Sequence, residues 1–312
     1  MTTATPSTSI ENFNFTQTAQ IILALFQEHL SRTLVKSAEE LKERNPDLPF
    51  EVLNNLAHRF QLGYSYMEPN LSLLVRWLYE SREDTNFTYD LTQLNRQYMA
   101  AMIAIVTNLS PKKISEYISE IDKNQSLKNH IKQLVEVSSF RSVSDEVIAY
   151  SRRIGWYAFV RALKPRLVIE TGVDKGMGSC VLAAALQLNS LEGFPGRYLG
   201  IDINPNAGYL FKGEYTSFGT IIYADSLTTL AALKEPVDLF INDSDHSADY
   251  EEKEYNMILP RITPHGVILG DNAHVTSKLC NFSERNNRKF LFIPEKPAEH
   301  WYPGAGIGVS YA

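Results

Sequence analysis

The chain has 312 residues, is 44% hydrophobic and carries a formal net charge of −6. That balance suits a globular protein with a sizeable core and argues against a nucleic-acid-binding protein, which needs a basic face. Cys180 and Cys280 are the only cysteines, too few for a disulfide framework or the usual zinc site, so a reducing, cytoplasmic setting is expected. No apolar run approaches the roughly 18 residues of a membrane span, and the Thr/Ser-rich Met1 to Ile10 lacks the basic and apolar regions of a signal peptide.

Residues 1–11 read as a disordered tail, and 12–141 as helical throughout. Gln20 to Val35 puts Ile21, Ile22, Ala24, Leu25, Leu30 and Leu34 on one broad apolar face. Pro49 opens a second helix, and Asn70-Leu71-Ser72 leads into another through Tyr79. Asp90-Leu91-Thr92 caps a helix over Leu94 to Val106; Ser110-Pro111 starts one through Ile121, and Ser126 to Val137 forms the next. This half holds no catalytic constellation. Phe60, Tyr64, Tyr66 and Trp77 read as core rather than as a substrate box. The helices would serve as a lid or as the interface of a homodimer. Asp145 is expected to cap a helix containing Tyr150, Ile154, Trp156 and Phe159, which Pro165 stops.

From 142 to 312 the pattern changes to short apolar runs ending in polar residues. Leu167-Val168-Ile169 is a buried strand, followed by Glu170-Thr171-Gly172-Val173-Asp174-Lys175-Gly176 and then a helix from Met177 to Leu188. The glycines suit a tight turn approached by a ligand, and the helix N-terminus would face it. The spacing is not that of the dinucleotide fingerprint G-x-G-x-x-G. Further strands end in Asp202, in Asp225-Ser226, in Asp243 and in Asp271-Asn272. Lys289 to Pro294 and Ile307 to Tyr311 read as two last strands. A carboxylate at the end of the second strand is placed to accept ribose hydroxyls, as in nucleotide-binding α/β folds.

The E-x-G-x-x-x-G turn resembles motif I of class I methyltransferases that use S-adenosylmethionine, with Gly178 where the commonest variant has Ser and Ser179 next. The resemblance covers roughly residues 145–312. It implies a seven-strand Rossmann-like methyltransferase sheet, and with the helical pattern of 12–141 the expected fold class is α/β, that sheet preceded by an N-terminal all-helical domain. It further implies that Glu170, Gly172, Asp174, Gly176, Ser179, Asp202, Asp225, Ser226 and Asp243 hold the cofactor, Asp202 at the ribose and Asp225 at the adenine amino group. Asp243 with Asp271 and Asn272 looks like the metal set of the catechol and caffeoyl-coenzyme-A O-methyltransferases. These three residues are therefore expected to bind Mg²⁺, a hard cation that prefers oxygen ligands. Where that family has a lysine base, this chain has His246, with Asp245 beside it. The implied reaction is methyl transfer to a hydroxyl of a small-molecule acceptor, ionised by the metal, with His246 taking the proton. The rivals are a metal-free methyltransferase using Asp245 or His246 as base, and a cofactor-binding scaffold without turnover.

Overall fold

A computed structural model describes residues 15–47, 49–85 and 88–312, so the expected tail at 1–11 lies outside the described residues. The chain divides into two compact units. One runs to Arg82 and takes in Glu299–Tyr302; the other holds Glu83–Ala298 and Pro303–Ala312. The boundary expected near 141 thus falls inside the second unit, because the helices after Arg82 pack on its α/β core.

The first unit is a pair of long helices, α1 (Phe15–Arg44) and α2 (Phe50–Glu80). Pro49 precedes α2 as expected. The break before Leu71 is absent. Pro69 lies inside α2, where its fixed φ is itself helical and only one backbone donor is lost. Ile21 and Leu25 of the expected α1 face are more than half exposed. Trp77 stacks edge-on against Trp301 with centroids 5.4 Å apart, and the Arg76 guanidinium donates to the Glu299 carbonyl at 2.7 Å. Phe60, Tyr64, Tyr66 and Trp301 line an apolar cavity of about 560 Å³ rather than filling a closed core.

The second unit begins with a two-residue strand β1 (Asp90–Leu91), followed by α3 (Gln93–Thr107), α4 (Pro111–Asp122) and α5 (Gln125–Glu136). Each of these helices starts on a side-chain cap: Thr92, Ser110 and Asn124 accept the N–H three residues on. The next helix, α6 (Arg153–Leu163), starts seven residues later than a cap at Asp145 would have it. Its N-terminal acceptor is not local. The Arg152 N–H is taken by the Glu295 carboxylate at 2.8 Å, and the chain from Ser144 to Arg152 stays irregular to reach it.

The sheet follows, with β2 (Leu167–Thr171), α7 (Met177–Leu191), β3 (Arg197–Asp202), β4 (Gly219–Tyr223), α8 (Ser226–Ala232), β5 (Val237–Asn242), α9 (Ala248–Ile258), β6 (Ile262–Gly270), α10 (Lys278–Arg285), β7 (Lys289–Pro294), β8 (Pro297–Ala298) and β9 (Gly306–Tyr311). All seven expected strands form one sheet in the order β4-β3-β2-β5-β6-β9-β7, while β8 pairs with β1. β9 runs antiparallel to both neighbours and the other pairs are parallel. Every residue of β2 is buried, as a central strand between two helical layers requires. Ile169, Ile201, Phe240 and Ile268 pack with Tyr255, Ile258, Leu279 and Phe282 from the covering helices in one cluster. β2 lies between β3 and β5, so the strand order reverses there. A crevice opens beyond the carboxyl ends of strands at such a point. Among the described residues no helix is long and apolar enough to cross a membrane.

Candidate functional site

The crevice is a cavity of about 520 Å³ lined by Gly172, Asp174, Asp202, Asp225, Asp243 and His246, with Ile203, Ser226, Asp245 and Tyr250 among the remaining wall residues. It is built from the ends of four neighbouring strands. After β2 the backbone turns at Gly172, whose φ is +83°. A Cβ there would collide with the Asp243 carbonyl oxygen, so only glycine lets the β2 and β5 ends close on each other. The Asp243 N–H donates to the Thr171 carbonyl at 2.9 Å and fixes that approach.

Asp202, at the end of β3, organises the turn. Its Oδ2 accepts the N–H groups of Val173 (2.8 Å) and Asp174 (3.1 Å), and its Oδ1 accepts that of Asn204 at 2.8 Å. Three of roughly four acceptor sites on the carboxylate are then used by backbone, which leaves Asp202 on the cavity wall with a reduced capacity for a diol. Asp225 caps α8, Oδ1 accepting the Thr228 N–H at 2.8 Å, while Oδ2 accepts the Tyr250 hydroxyl at 2.8 Å. The Thr228 N–H and hydroxyl, followed by Tyr250, hold its carboxyl below the usual range, so it stays ionised at the rim. Ile203, 77% exposed, supplies an apolar side chain between these carboxylates.

Below the cavity floor lies Glu254, which sequence reasoning missed. It is fully buried. It accepts hydrogen bonds from Thr171 (3.0 Å) and Ser244 (2.8 Å), and from Ser226 and Asn242, tying together the ends of β2, β4 and β5. Tyr250, one turn earlier on α9, reaches the rim. The signal in the sequence was their i, i+4 spacing on a helix that follows a strand end.

Three expected cofactor contacts are absent from the wall. Glu170 is buried under the turn, where it accepts the hydroxyls of Ser179 (3.2 Å) and Tyr198. Burial pushes its carboxyl up to about 7. Ser179 is spent on that contact. Gly176 sits at the N-terminus of α7 against Gly208, and the first residues of α7 are buried off the cavity rather than facing it. The Gly178 variant of the motif has a local reason: a Cβ there would collide with the Glu170 carboxylate and the Trp156 ring. Glu170, Gly176 and Ser179 therefore support the turn from beneath. Of the two base candidates, His246 is exposed at the cavity rim, and Asp245 accepts the Ser247 N–H at 2.7 Å, which lowers its carboxyl.

Asp243 and Asp271 do converge, as their strand ends demand, and their side chains hydrogen-bond to each other. Burial and then the Asp271 charge push the Asp243 carboxyl well above the usual range, so Asp243 holds the shared proton. Burial acts in the same sense on Asp271, but Arg152 overrides it and keeps that carboxyl low. The Arg152 guanidinium grips both oxygens of Asp271, Nε on Oδ1 and Nη2 on Oδ2 at 2.7 Å. Buried Asn272 opens a short turn in which its carbonyl accepts the Val275 and Thr276 N–H groups. The donor set expected for Mg²⁺ therefore does not fit that ion as folded. A magnesium site needs free carboxylate oxygens at near-octahedral positions, and here the Arg152 guanidinium already holds both oxygens of Asp271. Among the described residues no group of three or more His, Cys, Asp and Glu is arranged to hold a metal.

Residues 169–273 match the family model described as a methyltransferase domain. No curated protein matches the chain. Solved structures similar to it include the SAH-bound methyltransferase PaMTH1 of Podospora anserina, at 16% identity and TM-score 0.45 over 64% of this chain and 94% of that one. The O-methyltransferase TomG of Streptomyces achromogenes, in complex with SAM, matches at 14% identity and TM-score 0.42 over 61% and 90%. An O-methyltransferase of Bacillus cereus in complex with SAH matches at 15% and 0.42 over 63% and 96%.

Proposed function

We propose that this class I S-adenosylmethionine-dependent methyltransferase is an O-methyltransferase acting on a hydroxyl of a small-molecule metabolite. The single observation behind this reading is the cavity at the strand-order reversal, where Gly172, Asp202 and Asp225 stand at the ends of three adjacent strands. In this reading the β2 turn, with Gly172 and Asp174, takes the amino-acid end of the cofactor, Asp202 the ribose and Asp225 the adenine amino group. Ile203 lies against the apolar face of the base. Asp243, at the β5 end, faces the reacting end of the cofactor.

The acceptor oxygen attacks the sulfonium methyl carbon in line. The C–S bond breaks, its electron pair stays on sulfur, the O–C bond forms and the hydroxyl proton leaves. His246 takes that proton, imidazole being the side chain most often used as a general base. Asp245, lowered by its backbone partner, is the weaker base. Mg²⁺ plays no part in this reading. Holding donor and acceptor in line supplies much of the rate, and His246 adds the proton transfer. The resemblance to small-molecule enzymes and the net charge of −6 both support a metabolite rather than a nucleic acid as acceptor.

The test is calorimetry with S-adenosylmethionine and S-adenosylhomocysteine, followed by turnover over a panel of phenols, sugars and hydroxylated metabolites. The expected result is binding of both nucleosides and methyl transfer to an oxygen. His246→Ala should then lower turnover by about 10²–10⁴-fold with cofactor affinity intact. Binding without turnover over a broad panel favours the scaffold reading instead.

A further inference from the structure

We propose that Arg152 is the resident cation of the Asp243–Asp271 pair, so that this chain works without the divalent metal its relatives in the resembled family use. The inference rests on the O-methyltransferase reading for its context, and on three features of the site for its argument.

The first is occupancy of the oxygens. Arg152 donates from Nε and Nη2 to the two oxygens of Asp271, the fork geometry that suits guanidinium and carboxylate. A point cation would have to displace that pair to reach them. The second is that Arg152 is itself fixed from behind. Its own N–H donates to Glu295 Oε1 at 2.8 Å, and its Nη1 lies 4.0 Å from Glu295 Oε2. Glu295 is in turn held by the Tyr89 hydroxyl (2.9 Å) and the Ala305 N–H (3.1 Å). The guanidinium thus sits between two anchored carboxylates, at the start of α6, with its side chain only 15% exposed. The third is charge. Asp243, Asp271 and Glu295 are three carboxyls; Arg152 and the neighbouring Arg153 supply two positive charges. With every carboxyl ionised, the cluster keeps a single negative charge. A divalent ion added beside Arg152 would turn that single negative charge into a single positive one next to the buried Asp271, rather than bring neutrality. Such a charge is tolerated only when paired.

Arg152 acts through Asp271 on Asp243, which lines the cofactor cavity, and is therefore a positioning residue. It fixes both oxygens of Asp271 and so sets the surroundings of Asp243, the carboxyl that meets the cavity. Its removal should leave two carboxylates and Asn272 open to a cation.

The experiment is a thermal-unfolding and calorimetric titration of the full chain, stripped with EDTA, with Mg²⁺, Mn²⁺ and Ca²⁺ as the probes. The wild type should show no saturable shift with any of the three. Arg152→Met should acquire saturable divalent binding that the double variant Arg152→Met/Asp271→Asn lacks. A wild-type shift that saturates and vanishes in Asp271→Asn would overturn the proposal, and so would a folded Arg152→Met protein that binds no ion. If Arg152→Met does not fold, the wild-type titration and its Asp271→Asn control decide. Binding of S-adenosylhomocysteine by the same preparation reports on the methyltransferase reading separately, because no metal enters that measurement.

Discussion

Two sets of aspartates stand at the same level of one sheet and live under different rules. Asp202 and Asp225, at the ends of β3 and β4, are held by backbone N–H groups on the wall of the open cavity, and those contacts keep the Asp225 carboxyl low. Asp243 and Asp271, near the ends of β5 and β6, face each other with Arg152 against them, and one keeps its proton. The residue type and the topological position are the same. What differs is whether the compensating charge is a set of peptide dipoles, which leaves the carboxylate available to a ligand, or a neighbouring side chain, which consumes it. Chemistry at a strand end is thus decided by the partner and not by the carboxylate.

The change expected to do most damage strikes where the two sets meet. Gly172→Ala places a Cβ against the Asp243 carbonyl at a φ of +83°. Strain and overpacking together should cost about 3–5 kcal/mol, read as a fall in unfolding midpoint and loss of nucleoside binding. An unchanged midpoint would mean that the β2 and β5 ends do not close as described.

Next comes the buried carboxyl beneath the turn. Glu170 holds its proton up to about pH 7 in the folded chain, against an ordinary 4.5 when unfolded. Below pH 4.5 both states are protonated and no penalty exists. Between 4.5 and 7 the folded state retains a proton that the unfolded state has released, so stability falls as pH rises, and it levels off above 7. The whole effect is about 3 kcal/mol. Glu170→Gln should flatten this dependence and stabilise the chain at pH 8 relative to wild type, as measured by denaturant midpoints across pH. Parallel wild-type and variant profiles would show that Glu170 ionises freely.

At the rim, Asp202→Ala removes three backbone acceptor contacts and the expected ribose contact. Each charge-assisted bond contributes about 1.5–3 kcal/mol, so nucleoside affinity should fall by at least tenfold in calorimetry. Asp245→Asn should do least. Its carboxylate is exposed and only closes a local turn onto Ser247, a contact an asparagine oxygen can also make. Affinity and turnover within a factor of two of wild type are expected; a large loss of turnover would return Asp245 to the role of base.

The sheet was legible in the sequence because its strands are short apolar runs, the central ones rich in β-branched residues and closed by polar residues at their carboxyl ends. Asp202, Asp225, Asp243 and Asp271 were legible for the same reason, since the end of each run fixes its height in the sheet. Their states were not. Arg152 and Glu295 meet across 143 positions, and no local pattern announces that an arginine before a helix will be held by a glutamate near the last strands. Glu170 looked like a ligand residue because it closes β2, but Tyr198 and Ser179 claim it from below. The unit boundary was hidden because α3 to α5 are as helical as α1 and α2. Which body a helix joins depends on what its buried face meets, here Ile103, Ile114, Ile121 and Ile131 in the core of the second unit.

The central claim, that the cavity over β2, β3 and β4 is a cofactor site ordered by Asp202 and Asp225, is tested most directly by one calorimetric measurement. S-adenosylhomocysteine is titrated into the wild type and into Asp202→Ala under identical salt and pH. Saturable one-to-one binding to the wild type and a loss of tenfold or more in the folded variant is the expected result. Equal affinity in the two proteins, or no binding to the wild type, would contradict the assignment.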